Sequence, residues 1–325
     1  DNANFTQATI NWLPVQQPFT PANPASWTYN SLPNVKLQSG VSYYITSKAI
    51  DDVLNEEGSG AGNQGLSRST TFTYDINFPT AVVTSLPHLG YIPMGLAATI
   101  TGTAADWVRT HNSVNFVNQI DVFVQQSTSG IFLTAGGWTA SPASITGSTA
   151  GVSVILGSTW SASLSETYLN NNSTYTLWTR ARDLAGNAQS KFDYGVMSSS
   201  ITFNYDIGFP TSALTSISNN AFYTAANIPT LSGTAMDESE AGRVLVSSYS
   251  LRDTSLATGR YWDGSTFTAG NSEQFFALTN SGANNVWSIA PPTNMLVSGR
   301  SYEVRFRAVD RAGNLEPLTE KTTFY

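Results

Sequence analysis

Six aspartates are the residues of this sequence that could do chemistry together. Two stand just before a Phe-Pro pair and four end β-like stretches: Asp75 and Asp206, then Asp106, Asp183, Asp237 and Asp310. Carboxylate oxygens at strand ends can collect around a hard cation such as Ca²⁺. Alternatively, each Asp accepts backbone N–H groups in an Asx turn, which the Asp-x-Ala-Gly-Asn pattern suits without metal. Because each Phe-Pro stretch holds a single Asp and no Asp-x-Asp pair, we predict no metal ligands and no cofactor, and keep calcium as the one alternative.

Catalytic chemistry has little support in the sequence. Its two histidines, His88 and His111, lie near turn-forming residues without a matching Ser or Asp constellation. The adjacent acids at 51–52 and 56–57 would point to opposite faces of a strand or be solvated in a loop, so neither pair suits general acid–base work. The glycine-rich run 58–65 lacks the Lys and the helix of a phosphate-binding loop. We therefore predict no catalytic residues and a protein that is not an enzyme.

Composition excludes further classes of function. The net charge of −7 argues against a nucleic-acid partner, which needs a basic footprint. No apolar run approaches the roughly 18 residues of a membrane span, so we predict no membrane insertion. The chain has no Cys, which excludes disulfides, thiolate metal sites and a thiol nucleophile.

The elements that would position the aspartates are arranged in a repeat. Residues 72–80 and 203–211 are near-copies, offset by 203 − 72 = 131 residues. Each begins with the alternation of a β-strand and ends at Pro79 or Pro210, which cannot donate to a central ladder and forces extended geometry on the residue before it. Each copy therefore ends one module and starts the next, and we call 75–79 the first joint and 206–210 the second joint.

A corner motif recurs in all three copies. It reads Leu-x-x-Gly/Asn-x-x-Tyr and ends at Tyr43, Tyr175 and Tyr302. Gly or Asn accepts the left-handed backbone of a turn between sheets. The Tyr is expected to bury its ring and return its hydroxyl to the corner backbone, as in the tyrosine corner of immunoglobulin-type sandwiches. In the strand after Tyr175, Leu177 and Ala181 should face inward, with Arg180 facing outward.

Two further features repeat. A turn follows the Tyr strand as Asp183-Leu-Ala-Gly-Asn187 and Asp310-Arg-Ala-Gly-Asn314, with a degenerate first version at 51–55; we call it the Asp-to-Asn turn. A Trp pair recurs as Trp12/Trp27, Trp138/Trp160 and Trp262/Trp287. Recurrence at fixed module positions favours packing over ligand binding, and Trp178, which stands outside the pattern, should face outward and pack on a neighbouring loop.

On these residues the copies resemble bacterial immunoglobulin-like repeats, the modules of large exported surface proteins. The resemblance rests on the Tyr-to-Asn runs that end at Asn187 and Asn314 and on the Tyr-Asp-x-x-Phe-Pro-Thr joints. It implies an exported protein with a structural or adhesive role. The first copy departs from the pattern, since Leu54 stands where the other copies have Gly.

The predicted fold is all-β, with tandem immunoglobulin-like β-sandwiches arranged end to end. We expect the C-terminal half of a truncated module at 1–77 and complete modules at 78–207 and 208–325. Aligning the Trp pairs shows that the first copy lacks the equivalents of about residues 80–131. Half a sandwich exposes an apolar face and open strand edges. Either the chain is a segment of a longer polypeptide, or another chain completes the first module, or 1–75 form a small domain of their own.

The function that fits this organisation is a structural spacer in a repetitive extracellular or cell-surface protein, one that could assemble into a filament or surface layer. Its partners would be further copies or flanking modules. The alternative is an adhesin or glycan-binding module attached to a larger protein, suggested by eight Trp and fourteen Tyr. Coplanar, solvent-facing rings would support a glycan partner, and buried rings would support the spacer.

Overall fold

The computed structural model describes most of the 325 residues. It covers 12–13, 28–29, 37–57, 69–106, 117–134, 137–140, 152–154, 159–190, 195, 198–237, 244–255, 260–270, 272–278, 280–281, 286–317 and 320–325. In this part of the chain the structure consists of β-strands and one 3₁₀ turn, Glu166–Tyr168. No helix among these residues is long and apolar enough to cross a membrane.

The second copy is a two-layer sandwich. Its strands are β3 (Thr80–Val83), β4 (Gly90–Ile92), β5 (Thr99–Ala105), β6 (Val117–Gln126), β7 (Phe132–Thr134), β8 (Gly137–Thr139), β9 (Val152–Val154), β10 (Thr159–Ser163), β11 (Ser173–Asp183) and β12 (Ser200–Tyr205). One sheet has the order β3-β5-β10-β9 and the other β4-β12-β11-β6-β7-β8. Pairing is antiparallel except for β4, which lies parallel to β12. Two such sheets face to face form an immunoglobulin-like sandwich.

The third copy repeats this plan. Its strands are β13 (Thr211–Leu214), β14 (Leu231–Met236), β15 (Val244–Asp253), β16 (Arg260–Trp262), β17 (Phe267–Ala269), β18 (Phe276–Leu278), β19 (Asn280–Ser281), β20 (Val286–Ile289), β21 (Tyr302–Asp310) and β22 (Thr322–Phe324). The sheets have the orders β13-β14-β20-β19 and β17-β16-β15-β21-β22, with β18 also paired to β15. The tandem sandwiches are thus present as the sequence predicts, and the module bounds 78–207 and 208–325 stay predictions.

Each sandwich has its own core, and the two cores use equivalent residues. Trp160, Tyr175 and Phe203 are buried in the second copy, and Trp287, Tyr302 and Phe324 take the same places in the third. The match follows from the register, because Tyr175 pairs with Phe203 as Tyr302 pairs with Phe324. Trp160 and Trp287, the second members of their recurring pairs, therefore pack between the sheets.

In both complete copies a glycine lies against the buried Trp, and this contact explains why the strand that contains the glycine repeats. A Cβ on Gly102 would lie 2.0 Å from the Val82 carbonyl oxygen and 2.3 Å from the Trp160 ring. The same addition to Gly233 would meet Ala213 and Trp287 at the same two distances. Only glycine lets the indole lie flat on the neighbouring strand.

Alternation along β11 puts the predicted residues inside. Tyr175, Leu177 and Ala181 are fully buried. On the other face, Arg180 and Arg182 both bind the Asp121 carboxylate, at 2.7 and 3.2 Å. The outward arginines are therefore held in ion pairs on the sheet surface.

The first copy is described as a two-stranded sheet, β1 (Val41–Thr46) with β2 (Ser69–Tyr74). Its register matches the other copies, since Tyr43 pairs with Phe72. Ile45 is 40% exposed, whereas its equivalent Leu177 is fully buried. Within the described residues this copy leaves its inward face partly open, and half a module at 1–77 stays a prediction.

Candidate functional site

The joints are the candidate site, and the Asp-to-Asn turns build one side of each. In the second copy the Asp183 carboxylate accepts from the Asn187 backbone N–H at 2.8 Å and from the Asn187 side-chain amide at 2.9 Å. Asp310 holds Asn314 in the same way, at 2.8 and 2.9 Å. Gly186 and Gly313 take φ values of 95° and 94°, a left-handed conformation that glycine adopts without strain. The Asx-type hydrogen bonds predicted for these aspartates are thus present.

The asparagine of each turn also reaches across to the preceding joint. The Asn187 side-chain amide donates to the Asp75 carbonyl at 3.2 Å, and that of Asn314 donates to the Asp206 carbonyl at 2.9 Å. One side chain therefore fixes both its own turn and the joint backbone. In the sequence these asparagines stand out only as repeated residues, and nothing there indicates a partner across the joint.

A second contact secures the first strand of each module. The Gln189 side-chain oxygen accepts from the N–H groups of Ala81 and Ala181, at 2.9 and 3.2 Å. Glu316 does the same in the third copy, accepting from Ser212 and Ala308 at 2.7 and 2.8 Å. The first strand after each joint is thereby bound to the strand that carries the Asp-to-Asn turn.

The six aspartates meet in two groups of three. Asp75, Asp106 and Asp183 form the first triad, and Asp206, Asp237 and Asp310 form the second; in each, one carboxylate oxygen per residue lies within 4.8 Å of the others. All three members of the second triad are buried, while Asp75 and Asp106 are half-buried in the first. Each triad joins one aspartate of the joint to two aspartates of the following sandwich.

Three ionised carboxylates this close together repel one another when no cation is bound. At an effective dielectric constant of about 20, two like charges about 5 Å apart repel by about 3 kcal/mol. The donor set, carboxylate oxygens alone, is the one that a hard divalent cation prefers. Calcium–oxygen distances of about 2.4 Å place two ligand atoms at most about 4.8 Å apart, so the spacing of the triads fits this ion.

All six aspartates are visible in the sequence, which places only one at each joint. The signal for the clusters was in the spacing, since 106 − 75 and 237 − 206 both equal 31. What the sequence does not show is that β5 and β14 each end beside the preceding joint. Folding therefore supplies the second and third carboxylates that the local sequence lacks.

The joint residues also bind the corner motif of the copy before them. Asp75 accepts from the Ser39 hydroxyl at 3.1 Å, and the Ile207 N–H donates to the Asn171 side chain at 2.8 Å. Pro79 and Pro210 are buried. Phe78 and Phe209 are 60% and 59% exposed, so the prolines rather than the bulky phenylalanines are packed at the joints.

The tyrosine corners lie at the opposite end of the same strands. The hydroxyls of Tyr43, Tyr175 and Tyr302 accept from backbone N–H groups five residues earlier, at 2.7, 2.8 and 2.8 Å. Burial raises the pKa of Tyr302. Gly40, Asn172 and Gly299 have φ values between 63° and 79°, the left-handed geometry expected at the corner.

The remaining candidates take structural places or lie outside the described residues. His88 accepts a hydrogen bond from the Thr202 N–H at 3.2 Å. His111, Trp27 and the run 58–65 are outside the described part of the chain. Trp178 is half-buried, and its ring centre lies 6.1 Å from that of Phe132, so among the described residues it packs against β7. The glycan hypothesis stays a prediction.

Comparison with known proteins adds little. No family model matches the chain, and no curated protein does. The fibronectin(III)-like modules of CbhA from Clostridium thermocellum overlap at 12% identity, covering 75% of this chain and 93% of that chain, with a TM-score of 0.33. A tetra-tandem repeat from the extending region of a large adhesion protein overlaps at 18% identity, over 87% of this chain and 55% of that chain, with a TM-score of 0.27. Murine CEACAM1b overlaps at 9% identity, over 75% and 96%, with a TM-score of 0.25. At such low scores none of the three indicates what this chain does.

Proposed function

We propose that this chain is a non-enzymatic spacer segment of a repetitive extracellular or cell-surface protein. The observation that supports it best is the repeated joint, in which Asn187 and Asn314 bind the backbone of the preceding joint. These contacts oppose bending between neighbouring modules. A chain of modules held in this way spans distance without a binding pocket or a catalytic group.

We further propose that calcium binds at each triad. The three carboxylates would supply part of the coordination shell, with carbonyl groups and water as the remaining ligands. A bound cation would remove the repulsion within each triad and tie the joint aspartate to the following sandwich. Export would suit calcium binding, because calcium is abundant outside cells. Export also fits the low proportion of charged residues, 11%, which leaves a neutral polar surface.

Solution scattering tests the spacer role. In calcium-containing buffer we expect the wild-type chain to give a narrow distribution of shapes. A variant with Asn187→Ala and Asn314→Ala loses both amide contacts to the joints and should give a broader distribution. Asn55→Ala is the matched control, since Asn55 lies in the Asp-to-Asn turn of the first copy and outside both joints. Equal breadth for the wild type and the double variant would contradict the proposal.

A further inference from the structure

The Asp-to-Asn turn of the first copy, 51–55, is built like the other two. The Asp51 carboxylate accepts from the Asn55 backbone N–H at 2.7 Å and from its side-chain amide at 2.8 Å. The flanking bridge between Ile50 and Glu56 matches those at Arg182–Ala188 and Val309–Leu315. Leu54 even takes the left-handed φ, 70°, that glycine takes in the other copies. The turn therefore keeps its geometry although a left-handed φ is strained for Leu54 and is not for glycine.

The acceptor two residues after the turn is also in place. The Glu57 carboxylate accepts from the Ala49 N–H at 3.1 Å. This bond is equivalent to that of Gln189 with Ala181 and of Glu316 with Ala308. The first copy thus presents the same asparagine and the same acceptor as the two complete copies.

In the complete copies an extended segment covers these groups. The Asn side-chain amide donates to the carbonyl of a joint Asp. The Gln or Glu side chain accepts from the backbone N–H of the residue six positions after that Asp, which is Ala81 or Ser212. Asp183 and Asp310 are buried beneath that segment, whereas Asp51 and Asn55 are exposed. In the described part of the chain the Asn55 amide donates to Asp51 and to no joint carbonyl.

We propose that the first-copy turn, together with Glu57, is a receptor site for the joint segment of another module of this type. The partner is an extended peptide with an Asp, a Pro four residues later and a strand N–H six residues after the Asp. Both joints of this chain have that spacing, since 79 − 75 and 210 − 206 equal 4 and 81 − 75 and 212 − 206 equal 6. The site goes beyond the proposed spacer role and does not depend on calcium at the two triads.

A labelled peptide with the sequence of residues 73–83 tests the site. We expect saturable binding to the whole chain, measured by fluorescence anisotropy in calcium and again in chelator, with binding in either buffer counting as support. Asn55→Ala should weaken binding about tenfold, because a hydrogen bond to the peptide carbonyl is lost. Asn314→Ala is the matched control and should leave binding unchanged, since its joint is filled from within the chain.

Two results would overturn the proposal. The first is no saturable binding in either buffer, and the second is binding that Asn55→Ala leaves unchanged. Concentration-dependent self-association of the chain that Asn55→Ala abolishes, measured by sedimentation, would support it, because a second copy carries the same joint segments. A failure of calcium to bind the triads affects none of these outcomes, so the two proposals fail separately.

Discussion

At the scale of single residues, the tyrosine hydroxyl at each corner accepts a hydrogen bond from the backbone of the turn. Tyr175 is fully buried, and its hydroxyl accepts from the Asn170 N–H at 2.8 Å. The ring fills the core while the oxygen satisfies a backbone donor that the turn would otherwise leave without a bond. Packing and hydrogen bonding are thus separable at this position.

Tyr175→Phe should therefore lower the free energy of unfolding by about 1–2 kcal/mol, since it keeps the ring and removes the acceptor. Urea denaturation measures the change. Tyr44→Phe is the control, because Tyr44 is 63% exposed and should give no change. Equal stability of Tyr175→Phe and the wild type would show that the corner bond contributes nothing.

At the scale of elements, the β16–β17 hairpin turns around one carboxylate. Asp263 accepts from the Thr268 hydroxyl at 2.6 Å, from the Thr266 N–H at 2.8 Å and from the Ser265 N–H at 2.9 Å. These bonds, that from the Thr268 hydroxyl first, hold the pKa of Asp263 well below its usual range. A depressed carboxylate pKa stabilises the folded form above the unfolded pKa of about 4, and the stabilisation is lost as the pH falls through the folded value.

The hairpin should therefore loosen in acid before the sandwich does. We expect the Ser265 and Thr266 amide signals to shift in NMR spectra only at a pH well below about 4, the unfolded pKa of Asp, because the folded carboxylate keeps its charge down to its depressed pKa. In Asp263→Ala those amides should already be loosened at neutral pH and lose this dependence, whereas Asp52→Ala should retain it. Wild-type amides that stay unchanged down to strong acid would remove Asp263 from this role.

At the scale of the whole molecule, much of the organisation could be predicted from the sequence. The alternation of apolar and polar side chains after Tyr175 predicts which face of β11 is buried. The recurrence of Pro79 as Pro210 predicts the joints. The triads could not be predicted from local sequence, because Asp106 and Asp237 reach the joints only when β5 and β14 pair with the strands that follow those joints. Asp183 and Asp310 end strands of the other sheet, so the three carboxylates of each triad become neighbours through strand pairing and the packing of the two sheets together.

The cross-joint role of Asn187 was hidden for a related reason. Its local bonds to Asp183 explain the repeat of the turn, so the pattern alone points no further. The bond to the Asp75 carbonyl spans 112 positions in the chain and depends on how the module meets its predecessor. The sequence thus shows which residues repeat, and the fold shows what they hold.

Calcium titration of the chelator-treated chain by calorimetry tests the central claim, that carboxylate triads clamp the joints. We predict two ions per chain, one for each triad, and a higher melting temperature with calcium, because a ligand at about 100 times its Kd stabilises the fold by about 2.7 kcal/mol. Asp237→Asn should remove one ion, and Asp52→Asn, outside both triads, should remove none. No heat of binding and no shift in melting temperature in the wild-type chain would contradict the claim.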